Sequence, residues 1–437
     1  MRDKIFGLDT LITLPSGERK PEINLDSAAT TPPFVAVVQE IKDKLRYYGS
    51  IGRGEGMKAR ISTEVYSQGR ETIKKFVGAN HSKYIALYVN NTTDGINKLA
   101  SALISSHRDI VLTTRMEHHA NDLPWRERCR TVYADVDNKG RLRIDHIEQL
   151  LEEYGGRIKY VAVTAASNVT GYVNDVHKIA GLAHCYGAKI IVDGAQIVAH
   201  RKFSMLGGFR KDEDIDYFIF SAHKMYSPFG GGAIVGLKDE LNKHIPQFYG
   251  GGMPARVFDN DVHYADVPEL YEAGSPNYIG VVGMLQAIRT LESVGFGAIQ
   301  EHEQVLLARA IQGFRKINEA YGFDVIYLHY SDCDNIYDRV GILPFNLRFL
   351  KDSCTAQKLA EQAGIAVRHG NFCAHTYVDR LLGRVIPKNK NGMVGACSHE
   401  GLVRISFGIY STTEDVDALI HHVAILLHTG KKLLEEL

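Results

Sequence analysis

The sequence predicts an α/β fold: a large domain built on a mostly parallel sheet with helices on both faces, and a smaller α+β domain behind it. Three observations predict it. Short apolar runs alternate with helix-period segments through the middle of the chain. The pattern changes after residue 277 to a long helical region, two shorter strand candidates and a closing amphipathic helix. The composition, 45% hydrophobic and 23% charged over 437 residues, is that of an ordinary globular enzyme and poor for a disordered chain.

The elements follow in order. "IALYV" (85–89) reads as a strand and precedes the helical "TTDGINKLASALISS". "DIVLTT" (109–114) and "RTVYADV" (130–136) are strands, and "RIDHIEQLLEEYG" is a helix whose Ile144, Ile147, Leu150 and Leu151 recur on one face. "KYVAVTAAS" (159–167) leads into the helix of "NDVHKIAGLAHCYG"; "KIIVDGAQ" (189–196), "DYFIFSAHK" (216–224) and "GGAIVGL" (231–237) complete the set. Beyond "EAGSPN" (272–277) a nearly uninterrupted helix is expected from about Tyr278 to Glu319, then strands in "DVIYLH" and "GILPFNLRF", then "EDVDALIHHVAILLHTGKKLLEEL" as a helix. The expected division is 1–20 as an N-terminal segment on the small domain, 21–290 as the large domain and 291–437 as the small one.

Several function classes are disfavoured. Net charge is zero, so binding to nucleic acid or a membrane surface through bulk charge is not expected. No run of 18 or more apolar residues occurs. The first twenty residues lack the apolar core of a secretory signal, and the cytoplasm is the expected location. Six cysteines (Cys129, Cys185, Cys333, Cys354, Cys373, Cys397) are scattered without a CxxC pair, which suggests neither a disulfide framework nor a zinc site.

In an open parallel sheet, ligands gather beyond the carboxyl ends of the strands. Thr92 and Thr93 stand there before a helix, where hydroxyls and free N–H groups can hold a phosphate, or where a threonine simply caps the helix. His118, in "EHHAND", can present a flat ring to a ligand or serve the structure. Asn168 follows "KYVAVTAAS" as a neutral hydrogen-bonding group. Asp193 directly follows four apolar residues and needs a cationic partner, either a protonated ring nitrogen or a nearby arginine; Gln196 lies three residues on. Lys224 ends an apolar strand in "FSAHKMYSPFGGG". Taken alone it reads as an exposed loop lysine.

Together these strand ends offer phosphate ligands, a stacking ring, a carboxylate and an amine. Pyridoxal phosphate uses all four, with a lysine on its aldehyde and an aspartate on its pyridinium nitrogen. Asp193 precedes Lys224 by 31 residues (224 − 193), the spacing of consecutive parallel strands.

On "NLDSAATTPP", "NNTTDGIN", "EHHANDLPW", "SNVTG", "VDGAQ", "FSAHKMYSPFGGG", "YEAGSPN" and "VRHGNFCAH", the chain resembles the class V aminotransferases among the fold-type I pyridoxal phosphate enzymes. Within them it is most like the cysteine desulfurases and selenocysteine lyases. The resemblance implies a seven-stranded, mostly parallel sheet, a homodimer, an amino-acid substrate (cysteine or selenocysteine) and a sulfur-accepting protein as partner. It also implies roles. Lys224 resembles the Schiff-base lysine, Asp193 the pyridinium partner and His118 the stacking ring. Thr92, Thr93, Ser221 and His223 resemble phosphate ligands, and Ser275 the ligand offered by the other subunit. Gln196 and Asn168 resemble groups near the phenolic oxygen and the substrate carboxylate. Arg404 resembles the α-carboxylate clamp, for which a bidentate guanidinium is suited. Arg368 resembles the arginine five residues before the reactive cysteine, and Arg53 one reaching in from the partner subunit.

Cys373 then resembles the thiol that takes sulfur from cofactor-bound cysteine and leaves alanine. This chain departs from the pattern in two ways: Asn371 and Phe372 replace two histidines before that cysteine, and "RLLGRVIPKNKNGMVGACSHEG" is a longer insertion than expected. Arg368, His369 or His375 are the groups that could lower its thiol pKa. Cys373 as an inert buried thiol remains the alternative, in which the same apparatus serves transamination or C–S lysis.

Overall fold

The computed structural model describes residues 1–52, 54–79, 82–208, 210–328, 335–384 and 401–435, the last four by backbone alone. Seven strands form the main sheet: β1 (Tyr84–Val89), β2 (Ile110–Thr114), β3 (Arg130–Ala134), β4 (Ile158–Thr164), β5 (Lys189–Asp193), β6 (Tyr217–Ser221) and β7 (Gly232–Leu237). Their order is β1-β7-β6-β5-β4-β2-β3. β7 runs antiparallel to both neighbours, and the remaining pairs are parallel. The expected mostly parallel α/β sheet is what forms.

The inner strands are apolar without alternation because both faces are covered, whereas the edge strand β3 alternates. In β6, Phe218 and Phe220 pack into one cluster with Ile73, Ile190 and Val192, while Tyr217 and Ile219 pack into another with Ile96, Leu99 and Ile191. All four side chains are fully buried. Burying each is worth roughly 1.5–3 kcal/mol, which favours a strand with no wet face. The covering helices include α1 (Val35–Leu45), α2 (Met57–Phe76), α3 (Thr92–Leu103), α4 (Ile144–Tyr154) and α5 (Val176–Cys185). Asn91 caps α3 by accepting the Asp94 N–H at 2.9 Å.

The long helix expected from Tyr278 to Glu319 is two helices, α6 (Tyr278–Val294) and α7 (Phe296–Tyr321). Gly295 separates them with φ +87°, a backbone conformation that ends a right-handed helix and that glycine adopts without a Cβ penalty. Beyond them, β8 (Ile326–Tyr327), β9 (Ile342–Leu347), β10 (Arg368–Gly370) and β11 (Leu402–Ser406) form a second sheet in the order β8-β9-β11-β10. With α7, α8 (Asp352–Ala363) and α10 (Thr413–Glu435) it surrounds a separate apolar cluster that includes Leu306, Phe314, Phe345, Val403 and Leu427, whereas α9 (His375–Leu381) packs with Met116, Val169 and Leu402.

The N-terminal segment touches both parts. Ile23–Asn24 pairs in parallel with Ile365–Ala366, Asp26 bridges to Ser406, Arg2 pairs with Asp415, and Ile5 bridges to Phe34. This path carries Asp26, Ala28 and Thr30 past the carboxyl ends of the sheet strands.

Candidate active site

A cavity of about 550 Å³ opens where β5 and β6 end, closed on its far side by β10, β11 and the turn before α9. Its walls bring together most of the residues singled out from the sequence: Thr92, Thr93, His118, Asn168, Asp193, Gln196, Ser221, His223, Lys224, Arg368, Cys373 and Arg404. Two are elsewhere. Ser275 lines a neighbouring cavity of about 370 Å³ with Tyr66, Glu272 and Phe248, adjoining the first at Asn90 and Gly230. Arg53 lies outside the described residues, as does most of the insertion before Arg404.

Asp193 is the last residue of β5 and only 3% exposed. One carboxylate oxygen accepts the Ala195 N–H at 2.9 Å, and among the described residues it forms no ion pair. Burial raises its pKa, and the Lys224 charge only partly opposes this. Lys224 lies one tight turn past β6, within the same walls. Burial pushes its ammonium down to about 8, with Asp193 pulling the other way and Arg404 adding to the fall. Burial thus moves both amine and carboxylate toward their neutral forms.

The helix start meets the strand end directly. The Thr92 N–H donates to Ser221 Oγ at 2.7 Å, and the two hydroxyl oxygens are also 2.7 Å apart. The His223 carbonyl accepts from Thr31 N–H at 2.9 Å and from the Thr30 hydroxyl at 3.0 Å. Its imidazole is held neutral, at about 4, by burial and then by Lys224. His118 accepts the Ala120 N–H on Nδ1 at 3.0 Å, so a neutral ring carries its proton on Nε2. Burial first, and then the Lys224 charge, lower its pKa to about 3, leaving an uncharged ring beside the cavity.

On the far wall, Arg404 is 2% exposed. Its Nη1 donates to the Asn168 carbonyl at 2.8 Å and Nη2 to Asp26 at 2.8 Å, while the buried Nε has no partner among the described residues. Gln196 donates to the Ala28 carbonyl at 2.9 Å and leaves its Oε1 buried and unpaired. Unpaired buried polar atoms are costly, and both belong to residues of the cavity wall, so a small movement of either side chain could offer them to a ligand.

Phe372 and Cys373 take φ +50° and +55°, left-handed values that side chains rarely adopt. The turn is held by Asn168 Nδ2 donating to the Phe372 carbonyl at 2.8 Å and by His119 N–H donating to the Cys373 carbonyl at 2.7 Å. The Arg404 guanidinium sits over the Phe372 ring at 4.8 Å. Cys373 itself is exposed, and it borders a second, more apolar cavity of about 330 Å³ shared with His118, His119, Leu123 and Arg128. His119 and His375 stack at 4.7 Å beside it, with Nε2 and Nδ1 2.9 Å apart.

The sequence reading missed two carboxylates. Glu117 is 2% exposed, accepts from Thr114, Asn121 and the Thr164 N–H, and has its pKa raised by burial to about 8. Its only signal was its place before His118 at a strand end. Asp26 lies behind both cavity arginines, and nothing near it in sequence hinted at them.

The family model "Aminotransferase class-V" matches residues 23–419. A probable cysteine desulfurase from Halalkalibacterium halodurans is 31% identical over 408 residues, covering 91% of each chain. A cysteine desulfurase from Haloferax volcanii is 32% identical over 409 residues, 92% of this chain and 88% of that one. Among solved structures, the apo cysteine desulfurase of Thermococcus onnurineus superposes with TM-score 0.81 at 26% identity, and one from Escherichia coli with 0.76 at 27%; each comparison covers 93% of this chain and 95% of the other.

Proposed function

The chain belongs to the class-V aminotransferase family, and on that premise we propose that it is a pyridoxal-phosphate-dependent cysteine desulfurase, converting L-cysteine to L-alanine and taking the sulfur onto Cys373. The observation that carries this reading is that Cys373 shares one cavity with Lys224, Asp193 and Arg404.

The residues fit the cofactor. Asp193 is a buried carboxylate with no ion pair among the described residues, as a pyridinium partner would be. Gln196 and Arg404 line the same cavity, and each keeps one buried polar atom without a partner among the described residues. Thr92, Ser221 and the start of α3 make a phosphate cradle, with His223 and Thr93 beside it. His118 offers a neutral ring. When bound, pyridoxal phosphate supplies an aldehyde that takes up amines and a ring that accepts electrons from Cα.

The protein's own groups then have separable tasks. Lys224, with a pKa near 8, has a neutral fraction near physiological pH and can add to a carbonyl carbon, then carry a proton to and from Cα. Asp193 would be the residue that holds the cofactor's ring nitrogen in its protonated form. Arg404, held by the Asn168 carbonyl, would bind the substrate carboxylate. The Cys373 thiolate forms an S–S bond to the substrate sulfur as the Cβ–S bond breaks; that electron pair stays on Cβ, which is protonated as alanine is made. The persulfide left on Cys373 passes to a reductant or an acceptor protein.

Ser275 lines a different cavity from Lys224 in its own chain, which supports a homodimer in which it serves the partner subunit. The four described cysteines are free, which supports a reducing, cytoplasmic setting. No described helix is long and apolar enough to cross a membrane.

The test is to supply L-cysteine and a reductant to protein loaded with pyridoxal phosphate. Alanine and sulfide in equal amounts are expected. Pyruvate and ammonia, or conversion of the cofactor to its amine form, would instead favour a C–S lyase or an aminotransferase.

A further inference from the structure

Arg368 and Arg404 stand directly opposite each other on the antiparallel pair β10–β11. Two like charges in that position repel. Asp26 lies between them: one carboxylate oxygen accepts from Arg404 Nη2 at 2.8 Å and the other from Arg368 Nε at 2.9 Å. Asp26 does not line the cavity, whereas both arginines do. The bridge to Ser406 and the Asn24 side chain, which accepts the Asp26 N–H at 2.9 Å, fix its backbone.

We propose that Asp26 is a specificity-determining residue that sets the charge for which the pocket selects. Two guanidinium groups and one carboxylate leave one net positive charge, matched to a single α-carboxylate. Arg404, which lines the cavity and is held by Asp26 and the Asn168 carbonyl, takes that carboxylate. Arg368, half-exposed and held by Asp26, is kept from serving as a receptor for a second acid at Cβ. The pocket therefore prefers amino acids whose Cβ substituent is neutral. The inference rests on the reading that amino acids enter this cavity bound through their carboxylate.

The experiment titrates the holoenzyme with L-alanine and with L-aspartate, reading apparent Kd from the change in cofactor absorbance. The wild type should favour alanine. Asp26→Asn, which raises the local charge to two, should shift the preference toward aspartate by about tenfold or more, since a unit charge a few ångströms away is worth at least that. Arg368→Gln, which lowers it to zero, should weaken alanine by about tenfold. The double variant restores a single positive charge and should recover most of the alanine affinity, a compensation that a merely structural role would not produce. An unchanged alanine-to-aspartate ratio in Asp26→Asn, or losses that add in the double variant, would overturn the proposal. If Asp26→Asn does not fold, Arg368→Gln decides, and unchanged alanine binding overturns it. A wild type that responds to neither amino acid refutes the underlying reading as well, which separates the two failures.

Discussion

The N–H of His119 donates to the carbonyl oxygen of Cys373 at 2.7 Å, so the residue after the ring-bearing His118 holds the turn that carries the thiol. The hold is needed. Phe372 and Cys373 are both left-handed, at a cost of roughly 1–2 kcal/mol each. With Asn371 and Phe372 before Cys373, two contacts help hold the turn: Arg404 over the Phe372 ring, and Asn168 on the Phe372 carbonyl.

Asn168→Asp turns that donor into an acceptor facing a carbonyl. The thiol-bearing turn should loosen while Asp193, Lys224 and the phosphate cradle stay in place. We expect sulfur loading of Cys373 to slow by about tenfold or more, for a lost buried hydrogen bond of one to three kcal/mol, with one cofactor still bound per chain. Quantifying bound pyridoxal phosphate beside persulfide formation checks it; equal loss of both contradicts it.

Capture of the cofactor by apoprotein should depend on pH through Lys224. Only the neutral amine adds to an aldehyde. Because burial first, offset by Asp193, lowers this ammonium to about 8, the rate of covalent capture should rise with pH and level off above about 8. An ordinary exposed lysine would still be gaining near 10.4. Stopped-flow absorbance on apoprotein measures the midpoint.

Glu117 should make the apoprotein less stable as pH rises. Its folded-state pKa, near 8 because of burial, lies above its value of 4.5 when exposed. The folded chain therefore keeps a proton that the unfolded chain releases, and stability falls across pH 4.5 to 8. The loss is on the order of a few kcal/mol. His118 and His223, lowered by burial, act in the opposite sense, losing stability as pH falls from 6.5 toward 3 or 4. Comparing wild type with Glu117→Gln isolates the first effect: the variant's melting temperature should fall less over that window. Parallel curves would contradict it.

The loop bearing Ser275 is anchored by Glu272, which pairs with Arg70 at 2.6 Å, accepts the Tyr66 hydroxyl at 2.8 Å and the Tyr88 N–H at 2.7 Å. Arg70 also lies over the Tyr88 ring at 4.5 Å. Both charges are largely buried, so removing one strands the other. Glu272→Gln should cost about 3 kcal/mol or more in urea unfolding. A change below about 1 kcal/mol, typical of an exposed pair, would show the network to be solvated.

Much of this was legible in the sequence because strand ends are legible. Lys224 and Asp193 announced themselves as charged residues closing apolar runs, and their spacing placed them on neighbouring parallel strands. Thr92 stood at a helix start. The break at Gly295 was lost inside an otherwise continuous helical pattern, since one glycine among helix formers carries little signal. Glu117 hid beside two histidines that drew the reading. Asp26 was invisible for a deeper reason: its partners are 342 and 378 residues away, and only the pairing of the N-terminal segment with the second sheet brings them together. Resemblance supplied roles for Ser275, Cys373 and Arg404 that spacing alone could not assign.

The central claim is that Cys373 takes the sulfur. Holoenzyme given one turnover's worth of L-cysteine without reductant should show, in peptide mass spectrometry, one added sulfur atom on the peptide carrying Cys373, with alanine formed in equal amount. Cys373→Ser should bind the cofactor, show no added sulfur there and yield no such burst of alanine. Alanine formed at the wild-type rate by Cys373→Ser, or by wild type with Cys373 unmodified, would contradict the account.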